Sequence, residues 1–145
     1  MRDLFDLGLE EISLGDTIGR ATPSDIRRLL DEVTPHIGHA RVSLHFHDTY
    51  GMAVANVLTA WREYGIGSFD TSAGGLGGCS YAPGASRNVA TEDVVYALRA
   101  SGAFVEVDER LVVNAAQQVG AALNRPLTSR LSSVYHRHTT YEAVR

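Results

Sequence analysis

The sequence predicts an α/β fold with a parallel sheet, because it repeats a unit of one strand followed by one helix. Three such units can be read along the 145 residues. Equivalent strand positions, which lie 30 and then 27 residues apart, are Ile12, Val42 and Phe69. This interval is the length of one βα unit, and such alternation produces parallel strands that are covered by helices.

The first unit begins with an apolar run over residues 11–15 that ends at Gly15-Asp16 and predicts a strand. Thr22-Pro23-Ser24-Asp25 predicts the start of a helix, because threonine is a favoured N-cap and proline is tolerated at the first helical position. Apolar residues at the spacing of one buried helical stripe follow at Ile26, Leu29, Leu30, Val33 and Ile37.

The later units follow the same logic, with strands expected over residues 41–47 and 68–72. Helices are expected at about residues 51–64, 91–101 and 108–123. Residues 1–124 are expected to form the folded part and residues 125–145 a polar tail. Three parallel strands leave two open edges, so we interpret the chain as part of a larger closed sheet.

Composition limits the classes of function. The chain has 13 Lys+Arg against 17 Asp+Glu, a net charge of −4, and no basic cluster, which argues against nucleic acid and anionic membrane surfaces as partners. Its uncharged stretches are too short or too rich in glycine to span a bilayer. The single cysteine fits a reducing compartment. Because residues 1–6 do not have the pattern of a secretory signal, the sequence predicts a cytoplasmic protein.

Polar residues collect where the predicted strands end, which is where ligands of βα sheets bind. Asp16 ends the first strand, and His45 and His47 end the second. Two residues spaced by two on a strand face the same side, so both imidazoles could converge on one metal ion. The alternative is a chance pair. The second such pair, His136-Arg137-His138, is interpreted as solvated tail residues.

Three residues after the third strand are also candidates, and each has a purely structural interpretation. Cys79 follows a glycine run that permits close backbone approach to a ligand, so we interpret it as a reactive thiol, although a lone cysteine is more often a small buried hydrophobe. Asn88 could be a helix N-cap or an oxygen ligand of a hard cation. Glu92 could be a first-turn acid that the helix dipole favours.

Four motifs, in this order, resemble the 3-hydroxy-3-methylglutaryl-CoA lyase family. They are EISLGDTIG at residues 11–19, HFHDTYG at 45–51, GLGGC at 75–79 and NVATED at 88–93. The wider family consists of metal-dependent lyases and Claisen condensing enzymes built on a TIM barrel. The resemblance implies a partial (β/α)₈ barrel, in which this chain supplies about the last three βα units and the C-terminal helices.

The resemblance also implies a reaction and a set of residues. The reaction is the retro-Claisen cleavage of 3-hydroxy-3-methylglutaryl-CoA to acetyl-CoA and acetoacetate, as in leucine degradation, with Mg²⁺ or Mn²⁺. Carried onto this sequence, the metal ligands would be His45, His47 and Asn88, and the catalytic residues would be Cys79, Asp16 and Glu92.

The roles of these residues follow from the same resemblance. The metal would bind the hydroxyl and carboxylate oxygens of the substrate. Cys79 would protonate the departing acetyl-CoA enolate, and His45 could take part in deprotonating the hydroxyl. Asp16 and Glu92 would be rim carboxylates that orient ligands or relay the proton.

The sequence departs from the family pattern at three places. Ser80 replaces the proline that follows the family's cysteine, and Arg87 replaces the glycine before the asparagine. The family's Asp-x-x-Arg-Asp-Gly motif, which supplies a carboxylate ligand and an arginine, has no match here. The resemblance implies an acyl-CoA substrate. Because the motif is absent, we expect no activity from this chain alone. The expected partner is a missing N-terminal half or a homo-oligomer.

Other functions remain open at this point. Isopropylmalate synthases share the His-x-His strand, but they typically continue it with Asn-Asp and lack the Gly-Gly-Cys loop, which favours the lyase branch. Another acyl-CoA lyase, or a synthase-like condensing enzyme on the same scaffold, is a second possibility. The third is a non-catalytic remnant that associates through its open sheet edges.

Overall fold

The computed structural model describes residues 10–37, 41–78, 87–127 and 129–135. The chain divides into two compact units. The first contains the chain up to Asp70, and the second contains Thr71–Gly77 together with the chain from Arg87 onward. Each unit has its own buried apolar residues.

The first unit contains three strands and two helices, as the sequence predicts. Its strands are β1 (Glu11–Asp16), β2 (Arg41–Phe46) and β3 (Ser68–Asp70), and its helices are α1 (Pro23–Val33) and α2 (Ala53–Tyr64). A short 3₁₀ turn, Thr34–His36, follows α1. The strands form one parallel sheet in the order β1-β2-β3, in which β2 is central. The α/β class with parallel strands is therefore confirmed.

Helix α1 begins where the sequence predicts. The Thr22 side chain accepts a hydrogen bond from the Asp25 main-chain N–H, and the Asp25 carboxylate accepts one from the Thr22 N–H at 3.0 Å. This reciprocal pair is a capping box, with aspartate in the position that is usually glutamate. Pro23 occupies the first helical turn, where its missing N–H costs nothing.

The core of the first unit lies on one face of the sheet. Leu44 and Phe46 of β2 are almost fully buried and line the same cavity as Ile26 and Leu30 of α1. Burying a side chain of this size contributes about 1.5–3 kcal/mol. Leu29, which the sequence places in the buried stripe, is 41% exposed although it lines the same cavity. The alternate side chains of the strands lie on the opposite face of the sheet.

The second unit consists of a glycine turn and two helices. The turn is a 3₁₀ element, Ala73–Gly75, and the helices are α3 (Thr91–Ala100) and α4 (Glu109–Ala122). The turn contacts both helices, and Arg99 of α3 pairs with Glu109 of α4. Only residues 68–70 of the expected third strand form the ladder with β2, whereas Ser72 pairs with Ala90 inside the second unit.

Part of the segment predicted as a polar tail is helical and packed. Residues 130–135 form a short helical segment, and Ser129 and Ser132 are 5% and 2% exposed. The Asp93 carboxylate of α3 accepts hydrogen bonds from the main-chain N–H groups of Arg130 and Leu131, at 3.1 and 2.8 Å. This polar segment is therefore packed against the second unit, because its buried polar groups have hydrogen-bond partners there.

Within the four described ranges, no helix combines the length and the apolar composition that a membrane span requires.

Candidate active site

The face of the sheet opposite α1 is small and polar. In a parallel sheet, paired residues place their side chains on the same face. The register pairs three serines and, two residues later, a glycine, a histidine and an aspartate: Ser13, Ser43 and Ser68, then Gly15, His45 and Asp70. The Ser13 hydroxyl donates to the Asp70 carboxylate at 3.2 Å, across the central strand. This polar face carries the candidate chemistry of the first unit.

The two imidazoles at the end of β2 are neighbours, as alternation along a strand predicts. The ring centroids of His45 and His47 lie 4.9 Å apart with an angle of 84° between the ring planes. His47 is buried at 7% exposure, whereas His45 is half-buried. Two ring nitrogens from one strand end are therefore available on one side of the sheet.

A main-chain contact indicates which ring nitrogen of His47 donates a hydrogen bond. Nδ1 of His47 lies 3.1 Å from the main-chain oxygen of Asp16. A carbonyl oxygen can only accept, so Nδ1 is the donor, and in the neutral ring the lone pair then lies on Nε2. Metal-bound histidines are oriented by such a hydrogen bond from their second nitrogen. His47 therefore fits the role of a cation ligand.

Asp16 reaches the imidazole pair through its backbone and not through its side chain. Its register partner is Phe46, so its side chain lies on the face of α1. The carboxylate accepts the main-chain N–H groups of Arg20 and Ala21, at 3.2 and 2.8 Å. It thereby closes the loop between β1 and α1. The role of Asp16 in orienting ligands or relaying the proton stays a prediction.

The same loop is held against the end of β2 by a glycine. Gly19 has φ +69°, and a Cβ at this position would lie 2.7 Å from Oγ1 of Thr49 and 2.8 Å from the His47 carbonyl oxygen. Only glycine fits here without a shift of the backbone. Arg20, the next residue, stacks over the Tyr50 ring at 5.8 Å. These contacts join the two loops that follow β1 and β2.

The second unit contains the predicted amide ligand. The Asn88 side-chain N–H₂ donates to the Leu76 carbonyl at 3.0 Å, a contact that uses the amide nitrogen and not the side-chain oxygen. Two glycines make room for Asn88: a Cβ on Gly77 would lie 2.7 Å from the amide nitrogen, and one on Gly75 would lie 3.0 Å from the main-chain oxygen. An amide oxygen is a suitable ligand for Mg²⁺, which prefers oxygen donors.

Glu92 is a buried hydrogen-bond acceptor. It is 0% exposed, and its two oxygens accept the Gly74 main-chain N–H at 3.2 and 3.0 Å. One of these oxygens also accepts the Ser132 hydroxyl at 3.1 Å. The residue therefore holds the glycine turn, and its predicted role in orienting ligands or relaying a proton stays a prediction.

Other predicted residues lie outside the described residues. These are Cys79, the neighbouring Ser80 and the tail pair His136 and His138. Within the described part of the chain, no three His, Cys, Asp or Glu side chains are grouped so that they could hold a metal ion. Two imidazoles and one amide fit a divalent cation in donor chemistry, but they lack the anionic ligand that hard cations favour.

Sequence reasoning missed two contributors to these environments. Asp70 shares the polar face with His45, and counting alternate residues back from the end of the third strand could have found it. Ser132 carries no such signal, because its partner Glu92 is 40 residues away and on another element.

Comparison with known proteins identifies the family. The profile of the HMGL-like family matches residues 1–119. The chain belongs to the HMGL-like family. A Bacillus subtilis protein named hydroxymethylglutaryl-CoA lyase YngG is 45% identical over 132 residues, which is 91% of this chain and 44% of that protein. Members of the family therefore include lyases at substantial identity.

Solved structures agree with this membership. The hydroxymethylglutaryl-CoA lyase of Pseudomonas aeruginosa superposes with a TM-score of 0.86 at 43% identity, covering 94% of this chain and 45% of that one. The lyase from Acinetobacter baumannii, solved with coenzyme A and 3-methylmalate, gives 0.82 at 37% identity, covering 89% and 42%. The chain thus spans less than half the length of these relatives in the HMGL-like family.

Proposed function

We propose that this chain carries the imidazole, amide and thiol residues of a hydroxymethylglutaryl-CoA lyase. The reaction is the cleavage of 3-hydroxy-3-methylglutaryl-CoA to acetyl-CoA and acetoacetate. The observation that carries the proposal is the hydrogen bond from His47 Nδ1 to the Asp16 carbonyl, which presents the second ring nitrogen as a ligand beside His45. Relatives 43–46% identical that are named as such lyases support the same substrate.

The fold proposal is a partial TIM barrel. In the described sheet, β1 and β3 each pair with β2 alone, so each has one side without a strand partner. Closing a barrel removes such edges. We infer that the sheet supplies about the last three strands of eight, and that the remaining strands come from a missing N-terminal half. The alternative is a homo-oligomer that associates through these open edges. Residues 1–124 would form this barrel portion.

The proposed ligands of the cation, Mg²⁺ or Mn²⁺, are His45, His47 and Asn88. When bound, the cation would lower the energy of negative charge on the substrate's hydroxyl oxygen. His47 would hold its ring fixed through the Asp16 carbonyl, and Asn88 would hold its amide through Leu76. A carboxylate ligand is expected from outside this chain, because the described donors are neutral.

The cleavage involves two proton transfers, one at each carbon of the bond that breaks. The C3 hydroxyl loses its proton and becomes a carbonyl as the C2–C3 bond breaks, and the electron pair of that bond forms the acetyl-CoA enolate. The Cys79 thiol would then donate a proton to C2 of the enolate, which gives acetyl-CoA. The hydroxyl proton compensates for the one that the thiol gives up, so no other reactant is consumed.

A second candidate is a lyase for a longer branched substrate. A Pseudomonas aeruginosa relative that is 46% identical over 129 residues is named 3-hydroxy-3-isohexenylglutaryl-CoA/hydroxy-methylglutaryl-CoA lyase. The same residues could perform the same cleavage on either substrate, because the substituent at C3 takes no part in the bond changes.

We propose a cytoplasmic location, although named relatives include both mitochondrial and cytoplasmic proteins.

The test is a chimera in which the part of the Bacillus subtilis lyase that precedes the matched segment is joined to residues 1–145. We expect the chimera to release acetoacetate from 3-hydroxy-3-methylglutaryl-CoA with Mg²⁺ or Mn²⁺ and to lose activity in EDTA. The 145-residue chain alone and the Bacillus portion alone should each release none. A folded, monodisperse chimera that is inactive on both acyl-CoA substrates would contradict the proposal.

A further inference from the structure

The Glu92 carboxylate is unusual in being wholly buried. It is 0% exposed, and its described hydrogen bonds come from neutral donors, the Gly74 N–H and the Ser132 hydroxyl. Burying a carboxylate is costly unless its oxygens accept hydrogen bonds, and losing one such donor inside a protein is more costly than losing it at the surface. The two donors therefore determine where this side chain can lie.

The C-terminal helical segment, residues 130–135, is attached so that Ser132 points at Glu92. Asp93 accepts the first two N–H groups of that segment, and the Ser129 hydroxyl oxygen accepts the Ser132 N–H at 3.0 Å. The Ser132 hydroxyl donates its hydrogen bond to the Glu92 carboxylate. Its oxygen therefore accepts a hydrogen bond from the Ser129 hydroxyl, at 2.8 Å. Hydrogen bonds arranged in such a chain reinforce one another.

From Glu92 the contacts continue into the glycine turn. Gly74 and Gly75 have φ of +63° and +66°, and the Gly74 N–H is the group that Glu92 accepts. The turn is closed by the Leu76 N–H, which donates to Ala73, and the Leu76 carbonyl accepts the Asn88 amide. Fixing Gly74 therefore fixes the carbonyl that orients Asn88.

We infer that Ser132 is a positioning residue, which acts through Glu92 and the glycine turn on the Asn88 amide. The inference rests on the proposed function insofar as Asn88 is a ligand of the cation. It assigns a task to the C-terminal segment, whose polar sequence gives no sign of one. Loss of the Ser132 hydroxyl should release the turn and leave the amide oxygen less well placed.

The test compares variants within the same segment. Ser132→Ala removes the donor to Glu92, and Ser132→Thr keeps a hydroxyl at the same place. Ser133→Ala is the matched control, because the Ser133 hydroxyl donates to the Ser129 carbonyl and not to Glu92. Ser132→Cys fills the site with a slightly larger side chain and replaces the hydroxyl by a weak donor, so it tests the donor without leaving a cavity if the alanine variant does not fold.

Two readouts are needed. The first is amide hydrogen exchange at Gly74 in the 145-residue chain, which should rise about tenfold in Ser132→Ala and Ser132→Cys, as expected for one lost hydrogen bond. The second is Mn²⁺ affinity of the chimera, which should fall about tenfold in the same variants. Ser133→Ala should change neither, and Ser132→Thr should restore both.

The outcomes separate this inference from the proposed function. Unchanged exchange at Gly74 in Ser132→Ala would overturn the inference. So would Mn²⁺ binding that stays at the wild-type affinity while that exchange rises. If the unmodified chimera binds no Mn²⁺, the proposed function fails, and the exchange data alone still show whether Ser132 holds the turn. Unfolding midpoints measured in parallel distinguish a local release from a general loss of stability.

Discussion

The main-chain oxygen of Asp16 lies 3.1 Å from Nδ1 of His47, so the end of β1 favours the tautomer of the neutral ring in which Nε2 has the lone pair. The contact couples the two neighbouring strand ends, and it does so through the backbone of a residue whose side chain lies on the other face. Substituting the Asp16 side chain would therefore leave this hydrogen bond possible, whereas removing the ring would not.

The first prediction concerns His47 itself. In the chimera, His47→Ala should abolish activation by divalent cations, because the free ring nitrogen is lost together with its fixed orientation. His36→Ala is the matched control, since His36 is an exposed histidine of the same unit, on the 3₁₀ turn. Acetoacetate release measured against Mn²⁺ concentration checks both variants. An unchanged metal dependence in His47→Ala would remove the assignment.

The second prediction concerns the thiol. Cys79→Ala in the chimera should lower turnover by about 10²–10⁴, the usual scale for a lost proton donor. Mn²⁺ affinity should stay at the wild-type value, because the thiol is assigned to proton transfer and not to ligation. Steady-state rates and metal titration of the same preparation separate the two effects. A rate within about threefold of the wild type would count against Cys79 as the acid.

The third prediction concerns Gly19, which holds the β1–α1 loop against the end of β2. Gly19→Ala should lower the free energy of unfolding by about 1–3 kcal/mol or more, because the new Cβ would meet two oxygen atoms and the residue has a positive φ. Gly67→Ala is the control: its Cβ would meet nothing within 4 Å. That variant should be unchanged or stabilised by about 0.4–1 kcal/mol.

Urea unfolding of the two glycine variants provides the comparison. If Gly19→Ala were as stable as Gly67→Ala, the close approach of this loop to the His47 carbonyl would be wrong. In that case Gly19 would not hold the β1–α1 loop against the end of β2.

The fourth prediction concerns pH. Burial raises the pKa of the Asp93 carboxyl above its ordinary value of 3.8, and hydrogen bonds from the main chain of Leu131 and Arg130 offset part of that effect. The neighbouring charge of Glu92 also raises the pKa, whereas that of Arg130 lowers it. The folded state therefore holds the proton more tightly than the unfolded state does.

The sign of the effect on stability follows. The contribution of Asp93 to stability is fully present below pH 3.8, and it is lost as pH rises through the higher pKa of the folded state. Asp93→Asn has no such titration. The wild type's stability minus that of Asp93→Asn should therefore fall as pH rises from about 3 to about 6. Urea unfolding at several pH values checks this, and a rising difference would contradict it.

Much of the fold could be predicted, because it depends on periodicity and local capping. The apolar spacing of Ile26, Leu30 and Val33 identified α1, and all three are buried. The capping threonine, Thr22, is at the predicted position and makes the predicted contact. These signals lie within a few residues of one another, so no knowledge of tertiary structure is needed to interpret them.

The candidate site was predictable only in part. Alternation along a strand places the rings of His45 and His47 together, as the structure has them. The use of the Asp16 carbonyl was not predictable, because sequence patterns concern side chains. The buried Glu92 accepts a hydrogen bond from Ser132, whose segment has a polar sequence and no apolar period. Contacts between distant segments thus supplied what local patterns could not.

The most direct test of the central claim is an anomalous diffraction map of chimera crystals that contain Mn²⁺. We predict one Mn²⁺ ion in contact with Nε2 of His47, a ring nitrogen of His45 and the side-chain oxygen of Asn88. An ion bound elsewhere, or an occupied site from which both imidazoles point away, would contradict the claim that this strand end is the metal-binding part of a lyase.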